Sequence, residues 1–125
     1  MEIPLSELID RITVLRIKVK NTDKPEVKEE LSLLEDSLEA FEKESGKIDI
    51  GLVSKLQKVN QELWDLVTEL INEKKNENLE GAGKIYIRQH IANKKRVEIK
   101  NKIAEKTRSG FKDISVNSNL RDSSL

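Results

Sequence analysis

The chain of 125 residues contains no cysteine, a single histidine, two prolines, five glycines and four aromatic side chains. Each scarcity excludes something. Without cysteine there is no disulfide framework, no thiolate zinc site and no thiol nucleophile. One histidine, His90, argues against a histidine-rich metal site and against a Ser/His/Asp arrangement. Apolar runs of three or four residues at most leave nothing long enough to span a bilayer. The first residues, Met1 to Leu8, show neither a basic n-region nor an apolar h-region, so no signal peptide is expected and the cytoplasm is the expected location. With so few aromatics, a core has to be built from aliphatic side chains.

Those are plentiful. Leu, Ile, Val and Phe number 15, 13, 8 and 2, about 30% of the chain and above the roughly 20% below which disorder is expected. Charged residues make up 37%. Few breakers with many Glu, Lys and Leu describe a helical protein. The length suits one domain, expected over residues 1–113, with a loose Ser/Asn-rich tail over 114–125.

Apolar spacing predicts four helices, over about 5–20, 24–45, 50–76 and 84–108. In the first, Leu5, Leu8, Ile12, Leu15 and Val19 make one stripe, with Pro4 suited to its first turn. Asp23 and Glu26 read as a capping box for the second, with Pro25 just inside it. Its seam is Val27, Leu31, Leu34, Leu38 and Phe41, and Gly46 is the expected left-handed cap. The third takes Asp49 as N-cap and carries two stripes. One is Leu52, Leu56, Val59, Leu63, Leu66 and Leu70; the other is Val53, Asn60, Trp64, Val67 and Ile71. A helix of about 40 Å is long for this chain and suggests self-association. Asn76 to Gly83 reads as a connector. An antiparallel all-α bundle with short loops and shallow, coiled-coil-like crossings is the most economical packing.

Formal net charge is zero, 23 basic against 23 acidic residues, but the charge is sorted. Residues 26–80 carry seven basic and fifteen acidic side chains, a net of −8, whereas residues 81–112 carry ten basic and two acidic, a net of +8. The plainer reading is a basic fourth helix packed beside acidic neighbours. The sharper one is a basic face for phosphates or nucleic acid, against which stands the absence of interleaved aromatics for base stacking.

The helical wheel adds a second observation. The first helix has a second apolar set, Ile3, Val14 and Ile17, and Glu7, Arg11 and Lys18 fall between the two sets. The fourth helix has walls of Ile85, Ala92, Ile99 and Ile103 and of Tyr86, Val97 and Ala104, with Gln89, Asn93, Arg96, Lys100 and Thr107 between them. Asn60 lies mid-face on the third helix. Cations facing apolar surroundings need partners. Their stems can snorkel to water, and Glu7 with Arg11 is an i,i+4 pair of the favoured order. The functional alternative is a pocket lined by Arg11, Lys18, Asn60, Asn93, Arg96 and Lys100 that accepts an anionic group, arginine supplying a planar fork for carboxylate or phosphate.

Three blocks, Leu5-Ser-Glu-Leu-Ile-Asp-Arg-Ile-Thr-Val-Leu-Arg-Ile-Lys18, Val59-Asn-Gln-Glu-Leu-Trp-Asp65 and Asn93-Lys-Lys-Arg-Val-Glu-Ile-Lys-Asn-Lys-Ile103, together resemble a family of short bacterial and phage proteins known as a domain of unknown function. The likeness runs from residue 3 to about 113. It implies an all-helical domain and no established activity. Other likenesses are fainter. Gly81-Ala-Gly-Lys84 resembles the end of a phosphate-binding loop but lacks the earlier glycine, the following Ser or Thr, and a preceding strand. Glu29-Glu30 and Glu62 with Asp65 are similar to the Mg²⁺-binding carboxylates of helical nucleotide pyrophosphatases, but Leu33 breaks the spacing. Ile9-Asp10-Arg11-Ile12 faintly resembles the first helix of chorismate mutases, which later residues do not follow.

The sequence therefore predicts a non-catalytic interaction or assembly module without a cofactor or bound metal, whose partner is another protein or a second copy of the chain. The alternative is a binder of a small anionic ligand, or an enzyme, using the basic pocket. Nucleic-acid binding through the fourth helix ranks third, and no membrane partner is expected.

Overall fold

Apolar spacing fixes most of the element boundaries. The computed structural model describes residues 2–107 and 113–115. Four helices, α1 (Leu5–Asn21), α2 (Pro25–Ser45), α3 (Ile50–Lys75) and α4 (Leu79–Thr107), are joined by short loops, and two short strands, β1 (Glu2–Pro4) and β2 (Asp113–Ser115), pair antiparallel. The fold is all-α, as the periodicity requires. Pro4, in extended conformation at φ −60°, ends β1 and stands immediately before α1. The tail differs from expectation at its start, because Ile114 and Ser115 pair with Ile3 and Glu2. A three-residue strand has no period of its own, and its partner lies at the other end of the sequence. Residues 116–125, where looseness is expected, lie outside the described residues.

Packing is centred on α1, which touches all three other helices, while α2 packs along α1 and not against α3 or α4. Leu5, Leu8, Ile9, Ile12, Leu15 and Ile17 are all at most 1% exposed. That degree of burial follows from the two apolar sets on α1, since a helix apolar on two sides has to be covered on two sides. The first stripe of α3 and the inner wall of α4 complete the core with Leu52, Leu56, Val59, Leu66, Leu70, Ile85, Ala92 and Ile103. Leu34 is the fully buried residue of α2, and Arg16 of α1 reaches Glu35 of α2 at 3.6 Å.

Caps explain the boundaries that spacing misses. The box expected at Asp23 and Glu26 does not form. Pro25 opens α2, Lys24 occupies the cap position without a side-chain bond, and the Lys24 amide donates to Thr22 Oγ1 at 3.3 Å. Asp49 caps α3 as expected, accepting the Gly51 amide at 2.9 Å. Gly46 follows α2 at φ +92°, a conformation that favours glycine.

The largest difference is at α4, which begins at Leu79 and not at Lys84. The α3–α4 turn is a Schellman motif: the Asn78 amide donates to the Glu73 carbonyl at 2.9 Å and the Glu77 amide to the Lys74 carbonyl at 3.1 Å, with Glu77 at φ +54°. Asn78 then serves the next helix, its Oδ1 accepting the Gly81 amide at 3.0 Å while its Nδ2 donates to Glu73 at 2.7 Å. A Cβ at Gly81 would lie 2.5 Å from Asn78 Nδ2, so a side chain there would displace the Asn78 cap, whereas a Cβ at Gly83 would meet nothing within 4 Å. The glycines that suggest a phosphate loop belong to a helix start.

Substitution separates the two glycines. Gly83→Ala should raise unfolding free energy by about 1 kcal/mol through helix propensity. Gly81→Ala should gain little or lose, because displacing the Asn78 cap costs about as much. Urea denaturation of the two variants measures the difference.

Candidate functional site

Asp10 stands in the second apolar set of α1, at helical spacing from Ile3, Val14 and Ile17, and is 0% exposed. A carboxylate there has to be neutralised or strongly hydrogen-bonded, and it is both. Arg96 of α4 grips it two-pronged, Nε donating to Oδ1 at 3.0 Å and Nη2 to Oδ2. Asn60 of α3 donates to the same Oδ1 at 2.9 Å, and Lys100 lies 3.8 Å from Oδ2. The second hydrogen of the Asn60 amide goes to Thr13 Oγ1 at 2.8 Å, and that hydroxyl donates to the Asp10 carbonyl at 2.7 Å. Gln57 reaches the Thr13 carbonyl at 3.2 Å. Three helices therefore meet on one carboxylate. Lys100 also pairs with Glu7, one turn earlier on α1. The contacts 10–96 and 7–100 run in opposite directions along the chain, so α1 and α4 are antiparallel.

Burial works to raise the Asp10 pKa, but the hydrogen bonds from Arg96 and Asn60 and the charges of Arg96 and Lys100 outweigh it and hold the carboxyl below its usual range. Arg96 is raised, chiefly by its hydrogen bond to Asp10. Both groups are charged near neutral pH. Among the described residues, the Asp10 carboxylate takes the place that an anionic ligand would have on Arg96 and Lys100.

The six residues expected to form an anion pocket are thus divided. Asn60, Arg96 and Lys100 converge on Asp10. Lys18, Asn60, Asn93 and Arg96 line one groove of about 650 Å³. Arg11 lines neither: it is half-buried, its Nη1 is buried without a hydrogen-bond partner among the described residues, and the Glu7 expected to pair with it turns to Lys100 instead. The acids that engage Arg96 and Lys100 come from α1, although the acidic segment of the sequence is 26–80. Elsewhere α4 does pair with α3, through Arg88 to Glu69 at 3.4 Å and Lys106 to Asp49. Asp49 is held below its usual range by the Lys106 hydrogen bond and by the Gly51 amide.

The groove is built from three helices. Its walls are Val14 and Ile17 of α1 and Leu63, Trp64, Val67 and Ile71 of α3; its polar edge is Lys18, Gln89, Asn93 and Arg96. The second stripe of α3 divides here. Asn60 is buried, Trp64 is half-buried, and Val67 and Ile71 remain 49% and 54% exposed. The outer wall of α4 is open too, with Tyr86 and Val97 about half exposed. No carboxylate, histidine or cysteine lines the groove among the described residues. His90 is exposed on α4. No cluster of three His, Cys, Asp or Glu suited to a metal occurs among them, and no helix is long and apolar enough to cross a membrane.

Asp10→Ala should cost about 3–5 kcal/mol, since it leaves Arg96 partly buried without its counter-charge while Lys100 keeps Glu7; chemical denaturation reads this directly. A depressed native pKa stabilises the fold above the unfolded value of about 3.9 and stops doing so as pH falls through the native value. Stability followed by circular dichroism should therefore drop below pH of about 4, and the Asp10→Asn variant should lose that part of the acid dependence. Compared with protein-family models, curated proteins and solved structures, the chain shows no significant match to any.

Proposed function

We propose that the protein is a non-catalytic interaction module of the cytoplasm that receives a segment of a partner protein in the groove between α1, α3 and α4. The observation that carries this reading is the groove's composition. An apolar floor centred on Trp64 continues into Val67 and Ile71, which stay about half exposed. A concave, mostly apolar surface with a few polar groups at its edge is characteristic of a binding site. Trp64 is the sole tryptophan, and large aromatic side chains in half-closed pockets are the usual anchors of protein interfaces.

Chemistry has little to work with in this groove. General acid–base or nucleophilic catalysis needs a titratable group or activated nucleophile within reach of a substrate, and its titratable lining groups are Lys18 and Arg96. Asp10 behind them is ionised and surrounded by donors. Nucleic-acid binding through α4 has fewer free cations than the sequence suggests: among the described residues Lys84, Arg88, Arg96, Lys100 and Lys106 each hold a carboxylate, which leaves the exposed Lys94, Lys95 and Lys102 without one.

A photo-crosslinking residue placed at Ile71 in the full chain should capture a separate polypeptide through an apolar segment, and one at the exposed Lys58 should not. Val67→Lys should remove the adduct while changing stability by no more than about 0.5 kcal/mol, because the side chain is half exposed. Equal capture at both positions, or capture at Lys58 alone, contradicts the reading.

A further inference from the structure

The groove has a shape and a charge, and together they specify an occupant. On α3, Trp64, Val67, Thr68 and Ile71 form a ridge at 3-1-3 spacing, and on α4, Gln89, Asn93 and Arg96 form a facing one at 4-3 spacing; both line the groove. Ridges of this spacing on neighbouring helices accept the side chains of a third helix. The same α3–α4 pair already holds one helix in this manner, since Asp10 of α1 meets Asn60 of α3 and Arg96 of α4 together. With 17 residues α1 spans about 25 Å, whereas α3 and α4, with 26 and 29, span about 39 and 43 Å. It is shorter than either, and although Val14, Ile17 and Lys18 of α1 border the groove, Val67 and Ile71 in it and Tyr86 of α4 stay about half exposed.

Charge narrows the choice. Two cations and no carboxylate line the groove among the described residues. Lys18 makes no ion pair among them. Arg96 spends Nε and Nη2 on Asp10 and, among the described residues, makes no hydrogen bond at Nη1. An ammonium and one guanidinium nitrogen are thus available at the edge of an apolar trough. Their complement is a carboxylate standing beside an apolar stripe, the arrangement that α1 itself presents with Asp10 beside Val14 and Ile17.

We infer that the occupant is an amphipathic α-helix of a partner protein, with apolar residues at i, i+3 or i+4, and i+7 seated on Trp64, Val67 and Ile71, and with an Asp or Glu flanking that stripe that pairs with Lys18 and Arg96 Nη1. The inference rests on the groove being the interaction site and adds the partner's secondary structure and charge. The basic residues then serve as a selectivity edge, rejecting helices whose stripe is flanked by Lys or Arg.

A phage-displayed library of 16-residue peptides, selected on the immobilised full-length chain and counter-selected on the Val67→Lys/Ile71→Lys chain, tests this. Enriched peptides should carry the helical apolar pattern with a flanking Asp or Glu. Titrated as synthetic peptides, they should shift Trp64 fluorescence. Lys18→Glu should weaken the best peptide at least tenfold, and exchanging the peptide's acid for Lys should restore binding to that variant. Enrichment of the apolar pattern without an acid, or an affinity on Lys18→Glu within twofold of the parent, overturns the charge assignment and leaves the groove in place. Enrichment of proline-containing, extended peptides overturns the helical occupant. No enrichment over the counter-selected chain overturns the interaction site itself. A dimer by light scattering that dissociates on Val67→Lys makes a second copy the occupant and likewise overturns the inference.

Discussion

One carboxylate without solvent contact dictates how three helices meet. Asp10 lies on the inward side of α1, among isoleucines, leucines and a valine, and is tolerable there only if every oxygen is answered. Asn60 and Arg96 supply the answering donors, and Lys100 adds charge. Each comes from a defined turn of α3 or α4, so the requirement sets the axial position of α1 on both. Such a buried pair is poor evidence of added stability, because desolvation offsets much of the attraction. Its effect here is on register. Aliphatic stripes with regular 3-4 spacing tolerate a shift of one heptad, and the Asp10 cluster does not.

The same cluster decides what the basic residues are for. Arg96 and Lys100 look in sequence like an anion site, and structurally they are one whose anion is built in. What remains for an external partner is the neighbouring groove, where Lys18 and the outer edge of Arg96 border Trp64, Val67 and Ile71. Under the proposed function, structural clamp and binding edge share one arginine. Occupation of the groove should therefore stiffen the α1–α4 contact, and loss of the clamp should widen the groove.

Much of this was legible in the sequence. The apolar stripes located all four helices, because 3.6-residue periodicity reports burial directly. The two-sided pattern of α1 identified it as a covered helix. Lys18, Asn60, Asn93 and Arg96 were recognisable as polar residues between apolar walls, and they do line one groove. Asp10 is not recognisable in sequence as the centre. A single acid within an apolar stripe resembles ordinary surface charge until its partner, 86 residues away, is known. The start of α4 is hidden in the sequence for a different reason. Glycine usually breaks a helix, and nothing local shows that Asn78 caps across Gly81. Likewise Asp23 and Glu26 have the spacing of a capping box, but the Thr22–Lys24 turn and Pro25 fix the helix start without it.

The central claim is that Asp10 and Arg96 act as one structural unit across α1 and α4. A double-mutant cycle with the near-isosteric Asp10→Asn and the neutral Arg96→Gln, read by urea denaturation at neutral pH, measures this most directly. The account predicts that each single substitution is strongly destabilising and that the double variant is far less so than their sum, with a coupling energy above about 1.5 kcal/mol. Additivity within about 0.5 kcal/mol would contradict it, and would return Arg96 to the role of an independent cation awaiting an external ligand.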